Sequence, residues 1–174
     1  AAFAGMGVCF GVARDLENGF YDRLLMVPTH RAGLVLGPMM AAVVRVLLPV
    51  VLVSAVGFLA GARLTDGLLG MVTLFVGAEG FALIAGLWGL GVVYRAKNQK
   101  SSALIQVGIF VTMFLSVGQT PIELQEGWLP HVARLNPLTY IIDMARAGFI
   151  GQVTWAEVWP GLVAIAGGLV VFGV

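Results

Sequence analysis

Two side chains are out of keeping with their surroundings. Arg45 and Glu79 each fall within a long apolar stretch, PMMAAVVRVLLPV and LFVGAEGFALI respectively. A lone ionisable group at mid-bilayer costs roughly 2.5–3.5 kcal/mol on insertion scales, so such groups face a partner or a wet cavity. Counted from segment ends at 33 and 93, Arg45 lies twelve residues in and Glu79 fourteen. At about 1.5 Å per residue these are depths of roughly 18 and 21 Å. The two segments are consecutive and antiparallel, so a direct pair is geometrically open. It would be either a purely structural ion pair or part of the lining of a translocation path.

Other reactive side chains give less. His30 and His131 lie far apart on opposite predicted sides of the membrane, so they define no metal site. Cys9 is the single cysteine, which excludes an internal disulfide and reads as a small apolar helix residue. Lys100-Ser101 follows Gln99, with Tyr94 where a phosphate-binding loop needs its first glycine. A nucleotide phosphate cradle is therefore absent from this sequence. No serine–histidine, paired-aspartate or histidine-cluster arrangement falls at a shared depth, which argues against an intramembrane enzyme.

The elements that must position Arg45 and Glu79 are set by composition. Only 11% of the 174 residues are charged and the mean hydropathy is +0.96, against about 25% charged in soluble domains. Lipid must be the main solvent, and the fold class is all-α, a polytopic membrane helix bundle. A net charge of +1 argues against electrostatic nucleic-acid binding. Apolar spans are expected at about 1–13, 33–60, 67–93, 102–118 and 156–174. The first and last are cut short by the chain ends, as in a piece of a longer membrane protein. Pro38 and Pro49 fall inside the second span, where Pro49 suggests a kink. Ala78, Ala82 and Gly86, spaced by four, permit close helix packing. The loops 14–31 and 94–101 carry six Lys and Arg residues against three in the loops opposite. That bias places 14–31 and 94–101 in the cytoplasm.

The charged segment RDLENGFYDRLLMVPTHR (14–31) predicts an amphipathic helix over 15–27. Asp15 would be its N-cap, with Glu17 near the positive end of the dipole. Leu16, Phe20, Leu24 and Val27 share one face, and Pro28 ends it. Gly19 weakens it by about 1 kcal/mol relative to alanine. Beyond the fourth span, TPIE reads as a capping box, with Thr120 as N-cap, Pro121 at N1 and Glu123 at N3. Asn136 and Pro137 repeat the start signal for NPLTYIIDMARAGF, in which Asp143 and Arg146 can pair. Two short outer helices are expected, about 121–135 and 137–150. Thr154 and Glu157 open the last span, and Trp128, Trp155 and Trp159 suit the interfacial belt.

The residues as a set resemble the permease subunit of the type-2 ABC exporter family, in its daunorubicin and drug-resistance branch. The likeness rests on D-R-L-L-x-x-P-x-x-R from Asp22 to Arg31, the long span after it, and P-x-x-L…W-L-P…N-P-L-T-Y-x-x-D-x-x-R from Pro121 to Arg146. The resemblance implies a six-span fold whose first span lies outside this chain. It implies that 15–27 is a coupling helix docking on an ATP-hydrolysing subunit through Asp15, Glu17, Phe20, Asp22 and Arg23. The outer re-entrant helices, with Asn136, Asp143 and Arg146, would form part of an outer gate. The expected partners are two ATP-binding ABC subunits, which would hold ATP and magnesium, and a second permease, the same or a related chain. The chain itself would carry no cofactor and no enzyme activity. It would sit in the cell (inner) membrane and export an amphipathic drug-like or lipid-like substrate by alternating access. Arg45 and Glu79 match no motif of that family. The alternative is an ion-coupled secondary transporter in which Glu79 titrates.

Overall fold

A computed structural model describes residues 2–26, 32–63, 66–98, 100–116, 127–150 and 153–173. Among them are eight helices: α1 (Ala2–Glu17), α2 (Phe20–Leu25), α3 (Ala32–Leu59), α4 (Gly67–Ala96), α5 (Ser101–Phe114), α6 (Leu129–Leu135), α7 (Pro137–Ile150) and α8 (Trp155–Gly173). Three of them, α3, α4 and α8, are long and apolar enough to cross a membrane.

The bundle is built around α4, against which α1, α3, α7 and α8 all pack. This helix has small residues on two sides. Gly70, Thr73, Gly77 and Gly80 are buried along one, and Ala82, Gly86 and Gly89 along the other. Small residues let helix backbones approach closely where lipid supplies no hydrophobic drive between helices. A methyl on Gly5 of α1 would lie 2.9 Å from the Ala82 carbonyl oxygen, and one on Gly89 would lie 2.6 Å from the Cys9 sulfur. The Cys9 thiol donates to the Gly86 carbonyl at 3.5 Å. These pairings rise together in number, so α1 and α4 run parallel. Met39 of α3 lies over Gly86, and Ile165 of α8 over Gly80.

Two apolar cores result. At the end that carries Arg14 and Arg95, Met6, Cys9, Val12 and Ala13 meet Met39, Leu90, Val93 and Ile105. In the other half, Leu138, Ile141 and Met144 of α7 meet Ile165 of α8. At the far end the Val153 amide donates to the Asp66 carboxylate, tying the α8 approach to the start of α4.

Three expectations change. Asp15 is not an N-cap, because α1 runs through it to Glu17. The break falls at Gly19, whose φ of 68° is left-handed, and α2 starts only after it. Glycine carries no Cβ penalty in that conformation, which ends helices readily. The single helix over 15–27 is thus an elbow between α1 and α2, with 27–31 outside the described residues.

The fourth span is shorter than 102–118. Its helix stops at Phe114, where the Ser116 hydroxyl donates to the Met113 carbonyl at 2.7 Å. Fourteen residues rise about 21 Å, short of the roughly 30 Å of hydrocarbon. Hydropathy alone could not mark that stop, because Leu115 and Val117 continue the apolar run. Thr120, Pro121 and Glu123 lie outside the described residues, and the helix that follows is described from Leu129.

Candidate functional site

The third change concerns Arg45 and Glu79, which do not pair. Both oxygens of the Glu79 carboxylate are buried and have no hydrogen-bond partner among the described residues. Arg45 is exposed, and one guanidinium nitrogen lies 4.0 Å from where a methyl on Gly7 of α1 would sit. Their depths do correspond, because Met39 lies over Gly86 in this antiparallel pair and the register puts residue 45 near residue 80. Val46 is fully buried, and Arg45 stands about 100° round the helix from it. Glu79 shares a stripe with Ala82 and Gly86, which are packed on α1. Equal depth therefore brought two charges towards one layer without a bond between them.

The elbow places its charged residues at one end of the bundle. Asp15, Glu17, Phe20 and Arg23 are exposed, Phe20 by 53%. Asp22 lies within α2. Asp15 and Glu17 now sit in the last turn of α1, where the helix dipole disfavours negative charge, with Arg14 beside them. The Tyr94 hydroxyl donates to the Leu34 carbonyl at 2.9 Å, fastening the end of α4 to the first turns of α3. Nothing in the spacing signalled that bond.

In the outer region Asn136 does what the Asn-Pro signal predicts. Its Oδ1 accepts from the Leu138 amide at 3.0 Å, a helix N-cap. Its Nδ2 also donates to the Thr112 carbonyl of α5 at 2.8 Å. The Thr139 hydroxyl bonds back to the Ala133 carbonyl at 2.6 Å, and the Tyr140 hydroxyl to that of Arg134 at 2.8 Å. These bonds fasten the end of α6 to the first turn of α7, and the pair is termed the α6–α7 hairpin. Gly148 of α7 meets Gly70, while Ala145 and Ile141 meet Gly77, so α7 runs antiparallel to α4. Pro137 then reaches roughly 21 Å inward from the α4 start, near its middle. The hairpin re-enters the bundle. Asp143 is exposed on α7 and Arg146 half-buried.

Below the hairpin is a cavity of about 660 Å³. Its walls come from α4, α5 and α8, and its roof from α6 and α7. Sequence patterning did not reveal it, since its residues read as ordinary span positions. Among the described residues no three His, Cys, Asp or Glu side chains come together as a metal site would need.

The ABC-2 type transporter family profile matches residues 1–150. The chain belongs to the ABC-2 type transporter family. It is 25% identical over 163 residues to "Probable multidrug ABC transporter permease YbhR" of Escherichia coli, covering 89% of this chain and 43% of that protein. It is 24% identical over 160 residues to "Daunorubicin resistance ABC transporter permease protein DrrB1" of Streptomyces coeruleorubidus, covering 91% and 56%. A third similar protein is "Probable doxorubicin resistance ABC transporter permease protein DrrC" of Mycobacterium tuberculosis, 25% identical over 170 residues, covering 96% and 60%. The chain thus spans about half the length of these curated relatives. No solved structure gives a significant match. As an ABC-2 chain with apolar helices of this length, it is a multi-pass protein of the cell membrane.

Proposed function

We propose that this chain is the membrane-spanning part of an ATP-driven exporter permease that moves an amphipathic, drug-like or lipid-like substrate. The observation that carries this reading is the exposed α1–α2 elbow in an ABC-2 chain. An aromatic ring exposed among Glu17 and Arg23, on a turn set by Gly19, is the kind of rigid anchor that protein interfaces use. Asp15, Glu17, Phe20, Asp22 and Arg23 would dock on a separate ATP-binding subunit, which would hold ATP and magnesium. Two such subunits and a second permease would complete the transporter. Closure of the ATPase pair would move the elbow and, through α1, the bundle packed on α4. Arg45, exposed half-way along α3, would line the path for substrate. The α6–α7 hairpin, with Asn136, Asp143 and Arg146, would form part of an outer gate.

The test is a pull-down of the full-length protein from mild detergent, wild type beside Phe20→Asp, with partners identified by mass. A P-loop ATPase recovered with wild type and lost from folded Phe20→Asp supports the reading. An ATPase absent from wild type, under conditions that preserve other complexes, overturns it.

The buried, unpartnered carboxylate of Glu79 favours a second reading, an ion-coupled transporter in which that group takes up and releases a proton. Transport abolished by an uncoupler, and indifferent to loss of the ATPase, would select it.

A further inference from the structure

The cavity under the hairpin has a chemistry of its own. Phe81, Ile84, Trp88, Ile109, Leu115 and Leu138 are large apolar side chains from three of its sides. The polar side chains in the wall, Thr112 and Asn136, are engaged within it. The Thr112 hydroxyl donates to the Gly108 carbonyl at 2.8 Å, and Asn136 bonds to Thr112 and Leu138. Water would find few of the partners it needs there. Whatever part of a ligand lies inside must be hydrocarbon.

Position narrows the class further. The lining residues of α4 run from Phe81 to Trp88, from mid-helix toward the Arg95 end. On α8 they run from Ala164 to Phe172, close to its end. α5 and α8 are not packed along each other, so the cavity lies in the gap between them. Val111 of α5, Phe172 of α8 and Leu135 of α6 line it and are also exposed, 49%, 43% and 84%, so it is open along the α5–α8 gap and beside α6. The α5–α8 gap opens sideways between mid-depth and the Arg14–Arg95 end, cytoplasmic by the charge bias. Leu115, at the top, is fourteen residues from Ser101, so the cavity reaches roughly 21 Å from the helix start. Arg95 and Lys100 are exposed at that end, where the headgroup of an inserted lipid would rest.

The geometry points to a lateral site for one acyl chain of a phospholipid, entered from that leaflet between α5 and α8 and roofed by the α6–α7 hairpin. This goes beyond the exporter reading and rests on the chain lying in a bilayer with the α5–α8 gap open to lipid in the full-length protein. An occupied chain would press on Leu138 and Pro137 at the base of the hairpin, so lipid could bias its position.

The experiment places the full-length protein in vesicles of phosphatidylcholine and phosphatidylglycerol doped with a phosphatidylcholine bearing a diazirine near one chain end. After illumination, labelled residues are mapped by mass spectrometry. The expected result is labelling of Trp88, Ile109 and Leu115 several-fold above Leu48 and Leu52 on the open face of α3. Val111→Trp, which narrows the mouth at an exposed position, is expected to lower the wall labelling several-fold while leaving α3 unchanged. Ala164→Phe, filling the cavity from α8, should do the same. Wall labelling no higher than on α3, wall labelling absent because protein covers the mouth, or wall labelling unchanged in both folded variants would each overturn the proposal.

Discussion

Asn136 donates its side-chain amide to the backbone carbonyl of Thr112, 2.8 Å away, while its Oδ1 caps α7. One residue thus closes the turn of a re-entrant hairpin and anchors it to the half-length helix α5. Helices α5 and α7 are each too short to cross a bilayer, at fourteen residues. Joined tip to tip near mid-depth, they make one crossing between them.

Asn136→Ala removes both functions. Loss of an N-cap costs about 0.5–2 kcal/mol, and loss of a further hydrogen bond about 1 kcal/mol. Asn136→Ser keeps a capping oxygen but cannot reach Thr112. Thermal unfolding in detergent should rank wild type above Ser and Ser above Ala. Equal midpoints for Ser and Ala would leave the cap without weight.

A methyl on Gly70 would lie 2.8 Å from both the Cα and the carbonyl oxygen of Gly148. That contact is backbone, so the helices must part rather than a side chain swing away. Gly70→Ala and Gly148→Ala should each destabilise by about 1–3 kcal/mol, the usual cost of overpacking. Gly167, within α8, has nothing within 4 Å of an added methyl. Gly167→Ala should be neutral or stabilising, by up to about 1 kcal/mol. Denaturation midpoints of the three variants check the contrast.

Because the Glu79 carboxylate has no hydrogen-bond partner among the described residues, and so none in Arg45, their substitutions should not couple. In a double-mutant cycle of Arg45→Gln and Glu79→Gln, the interaction term should stay within about 0.5 kcal/mol, the additivity expected of independent sites. Glu79→Gln alone should be neutral or stabilising, since it spares burial of an unpartnered carboxylate. A strong favourable coupling would mean that the two side chains meet during the transport cycle.

Gly19 sits at φ 68°, and its conformation sets the angle between α1 and α2. Gly19→Ala should strain the elbow by about 1–2 kcal/mol, whereas Gly19→Asn should be milder, because asparagine visits the left-handed region more readily. If the elbow docks on an ATPase, recovery of that subunit should fall with Ala and persist with Asn. Equal recovery from both folded variants would separate docking from the turn geometry.

Much of this was legible along the chain. The long apolar runs announce α3, α4 and α8 because lipid-facing helices need no polar face. The Asn-Pro signal marks the start of α7 because capping is local chemistry, settled within four residues. Positive charge sorts the ends because Arg and Lys resist crossing. Packing decided the rest. Depth put Arg45 and Glu79 in one layer, but only packing in the bundle determined that they do not bond. The end of α5, the re-entry of α7 beside α4, and the cavity between α5 and α8 depend on contacts between residues far apart in sequence. Sequence by itself determined that the chain is helical, membrane-embedded and family-like, because those properties come from local composition and short motifs. Tertiary structure alone decided which groups meet, because in a bundle held by small residues a few ångströms and a fraction of a turn separate neighbours from strangers.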